Sequence, residues 1–349
     1  MNRIRVAVLL GGRSSEHSIS CISAQSIVAA LDPSRYEVTA VGIARDGRWV
    51  RAADGGLGIL EQSGTLPEVS ASAPTADRAT SLDVDVVFPV LHGPWGEDGT
   101  VQGLLETLGV PYVGSGVLSS SVAMDKGFMK TVLGAEGLEA GRWVVASDRR
   151  WRSNAQAVIA EIEGLGLPVF VKPSRAGSSL GIVKVHRTDA LREAIESARK
   201  HDPRVIVEAA VDGAREIECG VLVDEDGAPR ASRCAEIIVN ERHEFYDFEA
   251  KYLDDSATLV VPAQLPEGVE ERVRHMAVRA FEALDCEGLA RVDFFVRPDG
   301  SIVINEVNTM PGFTSISMYP RMWAATGVSY PELVDRLVAD ALRKGTGLH

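Results

Sequence analysis

Ala290-Arg291-Val292-Asp293-Phe294-Phe295-Val296-Arg297-Pro298-Asp299-Gly300-Ser301-Ile302-Val303-Ile304-Asn305-Glu306-Val307-Asn308 decides how this chain is read. Two runs rich in β-branched and aromatic residues flank Asp-Gly, a strong short-range hairpin signal. With Asp299 and Gly300 as a two-residue loop, Pro298 pairs with Ser301. Counting back along both strands then sets Asp293 opposite Glu306 and Arg291 opposite Asn308. Side chains alternate faces along a strand, so these four project from one side of the ribbon. Directly opposed residues have Cβ atoms about 4.5–5.5 Å apart, so two facing carboxylates call for a cation between them. Two carboxylates and an amide carbonyl are hard oxygen ligands, suited to Mg²⁺ that keeps waters and shares phosphate oxygens. An edge hairpin with solvated acids neutralised by Arg291 is the plainer alternative, but it does not account for four polar residues converging on one face of an apolar ribbon.

A candidate phosphate site precedes this hairpin, with a flexible polar hairpin turn as its plainer alternative. Gly177-Ser178-Ser179-Leu180-Gly181 matches the G-x-S-x-G elbow of serine hydrolases. An elbow needs a helix after the serine, whereas Gly181-Ile182-Val183-Lys184-Val185 continues as a strand. The spacing therefore predicts a Gly/Ser loop between strands, preceded by Lys172 and Arg175, that offers N–H groups, hydroxyls and cations to phosphate oxygens. The chain has no Gly-Lys dipeptide and hence no Walker A loop. Gly114-Ser115-Gly116 begins a dinucleotide fingerprint, but Ser119 stands where the third glycine belongs.

The remaining segments read as layers around these two features. Residues 4–10, 36–43 and 84–90 are short apolar runs predicted as strands, with a helix over 14–31, so the first 120 or so residues form a parallel α/β layer. His92-Gly93-Pro94-Trp95-Gly96-Glu97-Asp98-Gly99 and Gly11-Gly12-Arg13-Ser14-Ser15-Glu16-His17 follow strands directly, at the carboxyl ends where open α/β sheets bind ligands. Residues 62–81, rich in Ala, Ser, Thr and Pro, read as a surface insertion. A helix over 119–133 leads into a small α+β unit with strands at 167–172, 181–185 and 205–208 and a helix over 189–200. Further strands begin near Ile217. Helices are predicted over 266–284 and 329–344. The connection 240–265 carries Phe245, Tyr246, Phe248, Lys251 and Tyr252, which favours a lid closing on a ligand.

Length and composition set the outer limits. At roughly 150 residues per domain, 349 residues allow two or three domains. The chain is 45% hydrophobic and 24% charged, too apolar for disorder. Thirty-six Lys and Arg against 49 Asp and Glu give a net charge of −13, which disfavours nucleic acid and anionic membranes as partners. No stretch approaches the roughly 18 apolar residues of a membrane span, and no cleavable leader is legible, so a cytoplasmic chain is expected. Cys21, Cys219, Cys234 and Cys286 are widely spaced and are expected as buried thiols.

The hairpin cluster, the Gly/Ser loop between strands and the absence of a Walker A loop together resemble the ATP-grasp superfamily. Within it the chain is similar to the D-alanine–D-alanine ligase family over essentially its whole length. The runs that carry the resemblance are Gly11-Gly12-Arg13-Ser14-Ser15-Glu16, His92-Gly93 with Gly96-Glu97-Asp98-Gly99, Met124-Asp125-Lys126, Lys172-Pro173-Ser174-Arg175 with Gly177-Ser178-Ser179, Tyr246-Asp247-Phe248-Glu249-Ala250-Lys251-Tyr252, Arg291-Val292-Asp293, and Asn305-Glu306-Val307-Asn308-Thr309-Met310-Pro311-Gly312. The resemblance implies an ATP-grasp fold, mixing α/β and α+β units, with three domains around one cleft. These would be an N-terminal parallel α/β domain over 1–122, a small α+β subdomain over 123–207, and a C-terminal subdomain over 208–349 with lid loop 240–265 and metal hairpin 290–308.

The implied reaction is a two-step ligation in which ATP phosphorylates the carboxylate of one D-alanine and the amine of a second attacks the acyl phosphate, for peptidoglycan synthesis. By the same resemblance Asp293, Glu306 and Asn308 would hold two Mg²⁺ or Mn²⁺ ions. Lys126, Lys172, Ser179 and Lys251 would contact ATP phosphates, with Glu208 and Glu216 near adenine and ribose. Arg291 and the Gly312 N–H would stabilise the oxyanion. Glu16 would take the first ammonium and form a triad with Ser178 and Tyr252. His92 would lie near the first carboxylate, and Ser317 with Met318 would hold the second. Tyr252 implies an amine acceptor, and the resemblance also implies a homodimer. The alternatives are an ATP-grasp ligase with a D-serine or D-lactate acceptor or another carboxylate and amine pair, a catalytically silent nucleotide-binding regulator, and, more distantly, a serine hydrolase acting through Ser179.

Overall fold

The computed structural model describes residues 3–63, 66–75, 83–177, 180–239 and 257–347. β1 (Ile4–Gly11), β2 (Tyr36–Ile43) and β6 (Val86–Pro89) run parallel, and β3 (Trp49–Val50) adds an antiparallel edge, in the order β3-β2-β1-β6. Val6 to Leu10 are fully buried because β1 is covered on both faces, as a central parallel strand must be. α1 (His17–Ala30) packs Cys21, Ala24 and Ile27 on one face, and α2 (Thr100–Leu108) packs Val101 and Leu105 on the other. Where β1 ends, a Cβ on Gly11 would stand 2.5 Å from the Ile43 carbonyl oxygen at a φ of +86°, so only glycine lets the chain turn there. The described part of the 62–81 insertion contributes to a small hairpin, β4 (Leu60–Ser63) with β5 (Leu66–Val69), against α1.

The single helix expected over 119–133 is two helices, α3 (Val117–Met124) and α4 (Lys126–Ala135). Asp125 breaks them by capping α4: its Oδ1 accepts N–H bonds from Gly127 at 3.0 Å and Phe128 at 3.3 Å. Lys126 thereby opens a helix beside the second sheet. That sheet is antiparallel, ordered β7 (Trp143–Ala146), β10 (Val205–Ala209), β8 (Val169–Pro173), β9 (Val183–Val185), with α5 (Asp148–Glu163) and α6 (Leu191–Ala198) burying its apolar face. β8 and β9 pair directly with Val169 opposite Val185, so the Gly/Ser loop joins two strands and no helix follows it as a hydrolase elbow requires. β10 runs across 207 and 208, where the sequence reading divides two domains.

The third sheet is ordered β13 (Ala257–Val260), β12 (Pro229–Val239), β11 (Arg215–Val223), β14 (Leu289–Val296), β15 (Ile302–Asn308), antiparallel throughout. α7 (Val269–Ala283) covers one face, and α8 (Met318–Thr326) covers part of the other. Of the connection expected as a loop over 240–265, residues 257–260 are the edge strand β13; residues 240–256 lie outside the described residues. α9 (Tyr330–Lys344) returns to the first sheet and packs Leu333, Val334, Leu337 and Val338 into the core under Val6, Val8 and Phe88.

The hairpin corrects one detail of the sequence reading. Its loop has three residues, Pro298, Asp299 and Gly300: Arg297 N–H donates to the Ser301 carbonyl at 2.9 Å, and Gly300 takes a φ of +78°. The extra residue shifts the register near the turn, where Val296 pairs with Ile302 and Phe294 with Ile304. A bulge at Asn305 cancels the shift, so Asp293 still pairs with Glu306 and Arg291 with Asn308. The two irregularities answer one packing demand. Strict alternation would place Ile302 and Ile304 on the same face as Glu306, whereas the bulge lets both isoleucines enter the core under α7 while Glu306 turns to the other side.

Candidate active site

The second and third sheets face each other across a cleft of about 300 Å³. Six residues expected from sequence line it: Lys126, Lys172, Glu208, Glu216, Asp293 and Glu306. They come from α4, β8, β10, β11, β14 and β15, so no two strands alone could build this surface.

At its third-sheet wall, charge is balanced within the protein. Arg291 clamps Asp293 through two parallel bonds, Nε to Oδ1 at 2.7 Å and Nη2 to Oδ2 at 2.8 Å, and Asn308 Nδ2 donates to Oδ2 at 3.0 Å. Burial opposes the Arg291 charge, but Asp293, Glu218 and Glu306 hold its pKa well above the ordinary value. Lys126 Nζ bridges the cleft, 3.2 Å from Glu306 Oε2 and 3.0 Å from the Ala176 carbonyl. Burial pulls Lys126 down, and the charge and hydrogen bond of Glu306 more than restore it, so its pKa is raised. Among the described residues no three His, Cys, Asp or Glu side chains close on one point that could hold a metal. An ion here would take two carboxylates and the Asn308 amide oxygen, and its other oxygens from phosphate and water. Those donors fit Mg²⁺, which is usually held by one or two carboxylates plus substrate phosphates.

Deeper in the cleft, Glu208 stands between two lysines. It is ion-paired with Lys172 and, through Oε1 at 3.1 Å, with Lys130. Burial alone would raise the Glu208 pKa, but the two ammonium groups hold it below the usual carboxylate range. Burial lowers the pKa of Lys130, whose Nζ also donates to the Ala140 carbonyl at 2.8 Å. Sequence reasoning missed Lys130, although it lies four residues after Lys126 and so on the same side of α4.

The loops after β1 and β6 form the other end of the site. Glu16 is 8% exposed. A Cβ on Gly93 or on Gly177 would lie 2.5 Å or 2.7 Å from its Oε2, so the carboxylate sits between the β6 loop and the Gly/Ser loop. His92 is buried; its Nδ1 is 3.1 Å from the Met310 carbonyl and 3.5 Å from Glu97 Oε1, and its Nε2 is 3.1 Å from Ser23 Oγ. Burial opposes the His92 charge, but Glu97 and Glu16 raise its pKa, while burial pushes the Glu97 carboxyl up to about 7. Ser23 Oγ also accepts the Phe313 N–H at 3.4 Å. Phe313 packs against Phe88 with centroids 6.0 Å apart and Tyr319 at 5.7 Å, which fixes the segment bearing Gly312 between the first and third sheets.

Gly312 lies against Ser317, since a Cβ there would be 3.3 Å from Ser317 Oγ. Ser317 caps α8 in an extended conformation and its Oγ accepts the Thr314 N–H at 3.1 Å. The Met318 side chain points the other way, into a core with Ala235, Ile237 and Met322, so only its backbone at the α8 N-terminus is placed to meet a ligand. Ser178, Ser179, Lys251 and Tyr252 lie outside the described residues. Sequence reasoning also missed Ser23 and Glu218, and assigned no role to Glu97. Glu218 is two residues from Glu216, hence on the same strand face, which was the available signal.

Comparisons with known proteins give the chain a family. The family "D-ala D-ala ligase N-terminus" matches residues 5–115, and "D-ala D-ala ligase C-terminus" matches 132–339. The D-alanine–D-alanine ligase of Nocardia farcinica is 55% identical over 366 residues, covering 99% of both chains. The VanG D-Ala:D-Ser ligase of Enterococcus faecalis superposes with a TM-score of 0.82 at 36% identity, covering 97% of this chain and 100% of that one. The D-alanine–D-alanine ligase of Bacillus anthracis complexed with ATP does so with 0.75 at 29% identity, covering 98% of each. By sequence along nearly its full length and by fold, this chain belongs to the D-alanine–D-alanine ligase family.

Proposed function

We propose that the protein ligates two D-alanine molecules into D-alanyl-D-alanine for peptidoglycan synthesis, converting ATP to ADP and phosphate. The observation that carries this reading is the cleft in which Lys126, Lys172 and Glu208 face Asp293 and Glu306, with Arg291 and Asn308 hydrogen-bonded to Asp293.

ATP lies in the cleft with adenine toward Glu208 and ribose toward Glu216, and its phosphates run between Lys172, Lys126 and the Gly/Ser loop. Asp293, Glu306 and Asn308 would hold two Mg²⁺ ions, which would supply positive charge to offset that of the phosphates during phosphoryl transfer. Glu16 takes the ammonium of the first D-alanine, and His92 faces its carboxylate, which attacks the γ-phosphorus as ADP leaves. The amine of the second D-alanine then attacks the acyl carbon. Arg291 and the Gly312 N–H receive the charge developing on the acyl oxygen, a contribution typically worth several kcal/mol per donor. Phosphate leaves, and the attacking nitrogen gives up its proton. Ser317 and the first N–H groups of α8 hold the second carboxylate, where backbone donors and the helix dipole favour an anion. Ser178, Ser179, Lys251 and Tyr252 complete the closed site.

Three domains meet at this cleft, and the protein works as a cytoplasmic homodimer. Among the described residues no helix is long and apolar enough to cross a membrane. A D-serine acceptor is the second reading, supported by the likeness to a D-Ala:D-Ser ligase. The test is ADP release by the pure protein with D-alanine, D-serine or D-lactate, with products identified by mass. D-Alanyl-D-alanine as the main product is expected; a mixed product in preference to it would replace this reading, and absence of D-alanine-dependent ADP release would end it.

A further inference from the structure

Glu218 belongs to none of the motifs above, yet it stands at the reacting wall. Strand register pairs it with Asp293, and Asp293 with Glu306, so three carboxylates lie in one row across β11, β14 and β15. Glu218 is 5% exposed, and its Oε1 is 3.4 Å from Arg291 Nε, the atom that donates to Asp293 at 2.7 Å. Arg291 therefore has one carboxylate partner on its own strand and a second on the neighbouring one. The residue opposite it on β11 is Gly220, where a Cβ would stand 3.0 Å from both Tyr319 and Trp323.

Both oxygens of Asp293 are engaged by the guanidinium. A divalent ion on that carboxylate brings two positive charges beside a third, and the repulsion weakens the Arg291 clamp. A buried guanidinium that loses its carboxylate is costly unless another takes over. We infer that Glu218 is a positioning residue that retains the Arg291 guanidinium at the reacting wall when a divalent ion claims Asp293. Metal loading and oxyanion stabilisation then do not compete for one carboxylate. This inference rests on the ligase reading of the site.

The test titrates Mn²⁺ into the full-length protein with ADP and without D-alanine, reading free Mn²⁺ by electron paramagnetic resonance. Wild type, Glu218→Gln, Arg291→Ala and the double variant are compared. Glu218→Gln is expected to weaken Mn²⁺ binding about tenfold, because Arg291 then stays on Asp293. The double variant is expected to bind as Arg291→Ala alone does. In turnover, Glu218→Gln lowers kcat and leaves the KM for ATP near wild type. Wild-type Mn²⁺ affinity in Glu218→Gln overturns the inference. So does an equal loss in both Arg291 backgrounds, which would make Glu218 a ligand of the ion itself. Glu218→Ser carries the same expectations if the Gln variant does not fold. The titration needs no turnover, so a wild type without D-alanine-dependent ADP release would sink the ligase reading while Mn²⁺ binding still decides the role of Glu218.

Discussion

Asp293 and Glu306 face each other across β14 and β15, although the ladder slips by one residue immediately beside them. Each is held by a cation from a different direction, Asp293 by Arg291 on the same strand and Glu306 by Lys126 at the start of α4. The opposed pair is thus neutralised within the protein and remains on the face where phosphates would arrive.

Asp293→Asn keeps the shape and removes the charge. We expect kcat to fall by about 10²-fold or more, and the Mg²⁺ concentration giving half-maximal rate to rise about tenfold, as loss of an oxygen ligand and of the Arg291 clamp together would require. Steady-state rates across a Mg²⁺ series measure both. An unchanged Mg²⁺ requirement would remove Asp293 from the metal set.

Much of this wall was legible because alternation and an Asp-Gly loop are local features. The bulge was legible in principle too: Asn305 and Glu306 are consecutive polar residues between Ile304 and Val307, a break in period two that a bulge explains. Asp125 likewise carries the chemistry of an N-cap, the mark of a helix start within what periodicity alone joins into one helix. Spacing sets Lys130 beside Lys126 and Glu218 beside Glu216, but what these two and Ser23 do was out of reach for a different reason. Their roles are set by partners on other elements, Glu208, His92 and Arg291, and a lysine on a helix or a glutamate on a strand carries no sign of what the fold sets opposite it.

Lys130 gives a prediction about nucleotide affinity. It neutralises the buried Glu208 jointly with Lys172, and Met in its place would keep the volume and lose the charge. Lys130→Met is expected to raise the KM for ATP about tenfold while changing kcat less, because it removes binding shared by ground and transition states. Thermal unfolding should also shift down by several degrees, since Glu208 keeps one cation and the Ala140 carbonyl loses its donor. A KM for ATP equal to wild type would show that Glu208 needs only Lys172.

The pH dependence of stability should carry a mark of His17. Its Nδ1–H donates to the Gly12 carbonyl at 2.6 Å and its Nε2 accepts the Val69 N–H at 3.0 Å, so the ring is neutral in the fold. Burial is the main cause that lowers its pKa, with the Arg45 charge acting the same way against the Gly12 bond. A depressed histidine pKa means the unfolded chain binds the proton more readily. The stability it contributes is therefore full above about pH 6.5 and is lost as pH falls through the folded value. Urea midpoints measured from about pH 7 down to about pH 5 should decline for wild type and decline less steeply for His17→Gln. Equal slopes would refute the assignment.

The position of Glu16 makes the substrate end of the site testable without touching a charged residue. Its carboxylate fills the space that a Cβ on Gly93 or Gly177 would need. Gly93 has a φ of +76°, so alanine there would add backbone strain to the clash and confuse the reading. Gly177 is not among the residues of positive φ, and Gly177→Ala offers the cleaner probe. The new methyl would start 2.7 Å from Oε2, closer than any stable contact, so the carboxylate must swing away. If Glu16 receives the ammonium of the first D-alanine, the KM for D-alanine should rise about tenfold, with a smaller change in the KM for ATP, as expected when one charged contact is displaced. Glu16→Gln should act in the same direction, because it leaves the ammonium without its counter-charge. A Gly177→Ala enzyme with raised KM for ATP and wild-type KM for D-alanine would instead tie Gly177 to phosphate binding alone and move the ammonium site away from Glu16.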